Sequence, residues 1–356
     1  MTDTGKRVPA GDERAQDAET RDLGSQSVGR PASAAGRPGA MATIEEPLGV
    51  AEPDLSLAYE SGVEVKARSQ WAYARIRFFR HKLAVVSLLI LVLTGLVAIF
   101  AGRVAPYGYD EIPLDKLLES QNLGPTLTDW HLFGTDQLGR DYLSRVIFGI
   151  RTSLWVALFV SVLSTAFGTM IGAVAGYYGG IIDNLLMRFT DLILTLPGLA
   201  VLLTAAAFFG SGDPLKVGLI LAFLFWTGIA RIVRGVFLSL REKEYVEAAK
   251  AAGASDARII VRHMLPNTVG PIIVNATLVV ATAILVEAAL SFLGFGIQPP
   301  NAALGKLISD GQSEGFTLWW LVTFPGLVIV MVALAINFVG DGLRDALDPT
   351  QRRVRA

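Results

Sequence analysis

Cysteine is absent from the 356 residues, and histidine occurs only three times. The chain therefore has no disulfide framework, no thiolate nucleophile and no cysteine-ligated metal site. His81, His131 and His263 lie far apart in the sequence, without the close spacing of metal ligands. No Gly-x-x-x-x-Gly-Lys-Ser/Thr sequence occurs, which excludes nucleotide binding through a P-loop. Because no nucleophile motif or carboxylate pair stands out either, we expect no catalysis, cofactor or metal in this chain. Nothing in the sequence indicates a nucleic-acid partner.

Charged residues are also scarce. They make up 18% of the chain, against about 25% in a typical soluble domain. Hydrophobic residues reach 52%, and the mean hydropathy is +0.48. The charges crowd into the first 65 residues and a few short loops, and they leave long stretches without any. This distribution predicts a protein that crosses a membrane several times.

The first 65 residues differ from the rest. They contain 6 Lys or Arg and 12 Asp or Glu, a net charge of −6, whereas the remainder of the chain has a net charge of +5. Because they are poor in aromatic residues, they cannot bury enough apolar surface to offset the entropy of ordering. No apolar run of signal-peptide length follows the basic start. We expect a disordered, acidic cytoplasmic tail at residues 1–65, and the alternative is that translation begins at Met41.

Six apolar segments follow the tail. Five of them have 20 to 31 residues without a charge, and the fourth has only 14, between Lys216 and Arg231. About 17–25 apolar residues span a bilayer, and flanking Lys and Arg side chains can reach the interface. The predicted fold is therefore an all-α polytopic membrane protein with six transmembrane helices. These lie at residues 83–102, 152–182, 192–212, 217–230, 264–286 and 315–340.

The basic residues near the helix ends predict the orientation. Eighteen Lys or Arg lie on the side that has both termini, and seven lie on the other side. The positive-inside rule then places both termini in the cytoplasm. The predicted parts are the acidic tail (1–65), a basic flank with the first helix (66–102), an extracytoplasmic loop with an amphipathic helix (103–151), a core of five helices (152–343) with a cytoplasmic loop at 231–266, and a basic C-terminus (344–356).

The cytoplasmic loop has the most informative local pattern. Ala, Glu and Lys favour a helix, and Gly253 suits the end of a helix in a left-handed conformation. Ser255 can cap a second short helix, which has to stop before Pro266. Small side chains would let another protein approach this corner closely; they belong to Ala248, Ala249, Ala251 and Ala252. An ordinary exposed helical hairpin with a Glu247–Lys250 ion pair explains the same pattern.

One spaced pattern in this loop runs through Glu247-Ala248-Ala249, Gly253, His263 and Leu265-Pro266. It resembles the cytoplasmic signature of the permeases of ABC importers. Where that signature usually has an apolar residue, this chain has His263, and the run from 262 to 267 is similar to the peptide and nickel branch of the superfamily. The resemblance extends over about residues 75–349 and implies the type I ABC importer permease fold.

In that family the loop couples the permease to a separate ATPase. The resemblance implies that a docking surface for a cytoplasmic ATPase is formed by Glu247, Ala248, Ala249 and Gly253, in a signature completed by Leu265 and Pro266. The physics agrees, because small side chains permit close contact and a glycine corner lets two short helices act as a rigid unit.

The resemblance also implies the assembly and the location. This chain would be the second permease subunit of a peptide importer in the plasma membrane of a bacterium or archaeon. Its partners would be a related permease, two ATPase subunits that bind ATP and Mg, an extracytoplasmic solute-binding protein, the peptide substrate and membrane lipids. A nickel-chelate permease is the alternative within the branch. An ion-coupled secondary transporter, which calls for inverted repeats and charged midplane residues, and a non-transporting scaffold or receptor are alternatives from other classes.

A second pattern, at residues 131–154, resembles the segment that enters the membrane domain in the second permease of peptide importers. Residues 141–151 have apolar side chains on one face and predict an amphipathic helix on the outer membrane surface. This helix is either a structural elbow or a basic cluster that contacts lipid phosphates or the solute-binding protein.

Several small and polar residues lie inside the apolar segments, where their presence has to be explained. Gly168, Gly172 and Gly176, with Gly180, form a stripe that predicts close helix packing. A centred charge in a membrane costs about 2.5–3.5 kcal/mol on insertion scales, so Glu287 either lines a translocation path or makes a structural hydrogen bond. We also expect Asp191 to cap the third helix, and Pro197 and Pro325 to kink their helices.

Overall fold

The structure is a computed structural model that describes residues 70–112, 117–127, 131–210, 212–315 and 317–347. The predicted acidic tail at 1–65, Met41 and most of the predicted basic C-terminus lie outside the described residues. Helices account for the regular structure in these ranges, and extended segments pair only in two isolated bridges, Thr135 with Asp141 and Gly212 with Ile297.

The helices, in chain order, have the following bounds. They are α1 Gln70–Arg80, α2 Lys82–Ile99, α3 Ala101–Val104, α4 Leu117–Ser120, α5 Tyr142–Tyr178, α6 Gly180–Thr195, α7 Gly198–Phe209, α8 Pro214–Arg241, α9 Glu244–Ala251, α10 Asp256–Arg258, a π-helix Ile259–Met264, α11 Leu265–Phe292, α12 Leu304–Gln312 and α13 Trp320–Leu347.

Five helical stretches in the described ranges are long and apolar enough to cross a membrane. They are α2, α5, α8, the continuous stretch Asp256–Phe292 and α13. A sixth span results if the bent pair α6 and α7 is counted as one. The prediction of an all-α integral membrane protein is confirmed.

The main core lies around α5. This helix makes its most extensive contact with α8, while α11 packs against both α5 and α13, and α2 lies against α13. Val156 and Val160 of α5 are fully buried, as is Leu221 of α8. A second, smaller core lies where the end of α5 and the end of α8 meet the segment between α8 and α11.

The third span, predicted at residues 192–212 with a kink at Pro197, begins earlier, at Gly180, and is broken at that proline. The chain bends by 85° between α6 and α7, at the dipeptide Leu196-Pro197. Proline has no backbone N–H and fixes its own φ, so α6 ends before it and α7 begins after it. The prediction that Asp191 caps this helix is also wrong, because Asp191 lies inside α6.

The fourth span is longer than predicted. Its 14 uncharged residues lie near the start of a 28-residue helix, α8, which continues through Arg231 and Arg234 to Arg241. Two carboxylates of α6 make this possible: the Arg231 guanidinium lies 2.5 Å from Asp191, and Arg234 pairs with Asp183. The cytoplasmic loop predicted from residue 231 therefore begins only after Arg241.

The amphipathic helix predicted on the outer membrane surface at residues 141–151 is wrong as a separate element. These residues are the first turns of α5, which runs unbroken for 37 residues. Val146 and Ile147 are buried in protein, and the Tyr142 hydroxyl donates to the Leu321 carbonyl at 2.5 Å. Helices α12 and α13 pack against these first turns of α5 and bury them in the core.

Two of the three arginines in the same segment pair with carboxylates of this chain, whereas Arg151 is exposed and takes part in no ion pair of the described residues. Arg145, only 3% exposed, places Nη1 2.6 Å from Oδ2 of Asp136, and Arg140 places Nε 2.7 Å from the same oxygen. Asp141 caps α5 by accepting the Ser144 N–H at 2.7 Å. Of the two alternatives for this segment, the contacts favour the structural one.

Candidate functional site

The segment between α8 and α11 has a short helix that ends in a glycine corner. Helix α9 has Glu244 and Glu247 in its first turn and Lys250 in its last, charges that suit the two ends of the helix dipole. Gly253 follows with φ +77°, as the sequence predicts. Its N–H donates to the Lys250 carbonyl at 2.9 Å, and the Ala254 N–H donates to the Ala249 carbonyl at 3.0 Å.

These two hydrogen bonds form a Schellman motif. A Cβ built on Gly253 would meet nothing within 4 Å, so space does not require glycine at this position. The left-handed backbone does, because it disfavours residues with a Cβ. The corner is therefore set by local sequence.

The second helix does not stop before Pro266, contrary to the prediction. Ser255 takes the N-cap position of α10, although its side chain makes no capping hydrogen bond. The chain then passes through the π-helix directly into α11, with Pro266 in its first turn. In a regular α-helix the proline ring would clash with the carbonyl four residues earlier, and the wider π-turn before Pro266 relieves this conflict.

The segment has one open side and one anchored side. The residues exposed on the open side are Glu247, Ala248, Ala251, Ala252 and Gly253, whereas Ala249 is half-buried. On the anchored side, Val246, Ile259 and Met264 are completely buried. They pack against Phe237 of α8 and Tyr177 of α5, and the half-buried Leu265 joins this core. We call residues 244–258 the knuckle.

Tyr177, the last residue but one of α5, contacts both halves of the knuckle. Its hydroxyl donates to Oδ1 of Asp256 at 2.6 Å. The ammonium of Lys250 lies 5.5 Å from the centre of its ring, which is within cation–π range. Arg241, at the end of α8, donates to the Tyr177 carbonyl at 3.4 Å. No ion pair joins Lys250 to Glu247 among the described residues.

A bidentate ion pair connects α6 and α8 near the knuckle. Nε and Nη2 of Arg234 lie 2.5 Å and 2.7 Å from the two carboxylate oxygens of Asp183. Such fork-to-fork pairs fix relative orientation as well as adding energy. The uncharged run alone does not predict this pair, because it ends at Arg231, before Arg234. The signal was present, since Arg231 and Arg234 lie one helical turn apart, which is the spacing of one helix face.

The glycine stripe of α5 lies against α8. A Cβ built on Gly172 would lie 2.4 Å from the Ala230 carbonyl oxygen, and one on Gly168 would lie 2.5 Å from the Trp226 carbonyl oxygen. At Gly176 the Cβ would meet the Phe237 side chain at 2.5 Å. The two backbones are therefore in direct contact over about two turns. Gly180 lies beyond the end of α5 and takes no part.

Glu287 is fully buried between α5 and α11. Its two carboxylate oxygens accept one hydrogen bond each, from the Ser153 hydroxyl at 2.8 Å and the Ser291 hydroxyl at 2.7 Å. The Ser291 oxygen in turn accepts the Ile297 N–H at 3.0 Å. A carboxylate with these partners needs no contact with a translocation path, and the geometry favours a structural hydrogen bond between two spans.

Two family matches cover most of the described chain. Residues 168–353 match the family described as the binding-protein-dependent transport system inner membrane component. Residues 69–125 match the N-terminal transmembrane domain of oligopeptide transport permease C.

Named relatives agree with these matches. The chain is 39% identical over 290 residues to the oligopeptide transport system permease protein OppC of Haemophilus influenzae, covering 82% of this chain and 92% of that protein. It is 42% identical over 287 residues to the dipeptide transport system permease protein DppC of Alkalihalophilus pseudofirmus, covering 80% and 92%. A chain of the MetNI methionine ABC transporter aligns with a TM-score of 0.43 and 21% identity over 55% of this chain and 94% of that chain.

Proposed function

Because this chain belongs to the family of inner membrane components of binding-protein-dependent transport systems, we propose that it is a permease subunit of an ATP-driven peptide importer. The family supports the transport role, and the names of the relatives support peptides as the substrate. The observation that carries the proposal is the knuckle. It exposes a corner of small residues and is anchored to the protein through buried side chains such as Val246.

The exposed side of the knuckle is the proposed docking surface for a cytoplasmic ATPase. Glu247, Ala248 and Gly253 are exposed there, with the half-buried Ala249 beside them. Their small side chains let a partner approach the backbone closely. Leu265 and Pro266 are proposed to support this surface, because they continue the knuckle into α11.

Movement of the knuckle is proposed to reach the membrane through its anchored side. The hydrogen bond from Tyr177 to Asp256 leads to α5, and the contacts of Val246 lead to the end of α8. The glycine contact between α5 and α8 then makes these helices move together. An ATPase that binds two arrangements of the knuckle with different affinity would shift the permease between two states.

The chain itself performs no chemistry in this scheme. ATP and Mg are proposed to bind to two partner ATPase subunits, and a second, related permease would supply the other half of the pathway. A solute-binding protein would deliver the peptide on the extracytoplasmic side. The excess of basic residues on one side supports a cytoplasmic position for the knuckle and for both termini.

Gly253→Asp tests the proposal. The change places a carboxylate on the docking surface without a clash, since nothing lies within 4 Å of a Cβ there. We expect peptide uptake to be lost and ATP hydrolysis to be uncoupled from it, with the protein still present in the membrane. Gly315→Asp is the matched control, because Gly315 also has a positive φ, of +64°, and open space around its Cβ, but lies outside the knuckle. Normal uptake by Gly253→Asp would contradict the proposal.

A further inference from the structure

The helix before the first span, α1, is basic and aromatic. It contains Arg75, Arg77 and Arg80 and no acidic residue, and Lys82 follows at the start of α2. Three of its large apolar side chains are exposed, namely Tyr73, Ile76 and Phe79. At 100° per residue these apolar side chains alternate with the arginines around the exposed face of α1, opposite the buried Ala74 and Phe78, and a helix that exposes basic and apolar residues together suits the boundary between lipid headgroups and acyl chains.

An apolar groove of about 540 Å³ lies between α1 and the ends of α11 and α13. This volume is within the range of about 300–1,000 Å³ found for small-molecule sites. Phe78 and Phe79 of α1 form one wall, Ile273 comes from α11, and Leu343 and Leu347 come from α13. Apart from Arg75 the residues that line the groove are apolar, so an apolar molecule fits it better than a polar one.

Arg75 is the charged residue among those that line the groove. Its side chain is exposed, and no ion pair of the described residues involves it. The end of α13 has Asp341, Arg344 and Asp345, all exposed, and none of them lines the groove. The site therefore combines an apolar cleft with one guanidinium that has no ion-pair partner among the described residues.

We propose that this groove binds one anionic phospholipid. Its phosphate would pair with Arg75, and an acyl chain would lie between Phe78 and Leu347. Basic pockets between transmembrane helices bind anionic headgroups through this combination of charge and apolar surface. The chain's own acidic residues 1–65 are the competing occupant, and the experiment distinguishes them from a lipid.

The test uses photoactivatable phosphatidylglycerol and phosphatidylcholine, each incorporated in membranes that contain the complete transporter. After irradiation, the labelled peptides are mapped by mass spectrometry. We expect phosphatidylglycerol to label the α1 and α13 peptides that line the groove more than phosphatidylcholine does. Arg75→Gln should lower this preference by about fivefold, which corresponds to about 1 kcal/mol for one arginine at an anionic surface.

Two further variants separate specific binding from other causes. Ala72→Phe narrows the groove from α1 and should lower labelling by both lipids. Arg188→Gln removes an exposed arginine from α6, away from the groove, and should leave the ratio unchanged. Equal labelling by the two lipids, or a wild-type ratio in Arg75→Gln, would overturn the proposal. So would a crosslink from Ala72→Cys to the chain's own tail or to another polypeptide, since the groove would then hold protein.

Discussion

The contact between α5 and α8 gives a quantitative prediction through Gly172→Ala. The added methyl group would lie 2.4 Å from the Ala230 carbonyl oxygen and 2.9 Å from the Val233 Cβ, whereas carbon atoms pack best at about 3.5–4.0 Å. Both helices would have to separate by about 1 Å. Overpacking of this kind typically costs about 1–3 kcal/mol. Packing is the main force between helices in a membrane, so the loss has no hydrophobic compensation.

Gly235→Ala on α8 is the matched control, because nothing lies within 4 Å of a Cβ built there. Both variants gain about 1 kcal/mol of helix propensity from replacing glycine by alanine. The difference between them therefore isolates the overpacking. We expect Gly172→Ala to be less stable than Gly235→Ala by about 1–3 kcal/mol when the purified protein is unfolded by denaturant in mixed micelles. Equal stability of the two variants would refute the close contact between these helices.

Two further predictions concern the polar contacts. Tyr177→Phe removes the hydrogen bond to Asp256 and keeps the ring near Lys250. A hydrogen bond to a charged group contributes about 1.5–3 kcal/mol, so we expect uptake to fall by about 10- to 150-fold while the ATPase still co-purifies. Full uptake would show that this contact does not transmit movement. Glu287→Gln keeps the size of the side chain but disturbs one of its two serine contacts. We therefore expect the free energy of unfolding to fall by about 1–3 kcal/mol, with normal uptake in the folded protein. A stable variant without uptake would assign Glu287 to the pathway instead.

Local features of the fold could be predicted from the sequence. The first and last spans follow from long uncharged runs, and the glycine corner at Gly253 follows from a motif that depends only on neighbouring residues. These features need no information about distant parts of the chain.

Features that depend on distant residues could not be predicted in the same way. The predicted fourth span ends too early, at Arg231, because the carboxylate that pairs with this arginine, Asp191, lies 40 residues away in another helix. The partner of Glu287 in α5, Ser153, is 134 residues away. The sequence could therefore show that a buried charge needs a partner, but it could not show which residue supplies it.

The bend at Pro197 and the π-helix before Pro266 show a third limit of prediction from the sequence. Pro197 and Pro266 both signal a break in a regular helix. The first produces an 85° bend, whereas the second is absorbed by a π-turn within a continuous stretch. Tertiary packing decides between these outcomes, since Ile259 and Met264 are held in a buried core and α7 contacts little besides α8.

Site-specific crosslinking tests the central claim most directly. The chain has no cysteine, so Ala252→Cys or Ala248→Cys introduces a single thiol on the exposed side of the knuckle. Gln312→Cys, exposed at the end of α12, serves as the control. In native membranes we expect a thiol-reactive crosslinker to join the two knuckle variants, but not the control, to a P-loop ATPase. If neither knuckle variant captures such an ATPase, the knuckle is not its docking site and the proposed coupling is wrong.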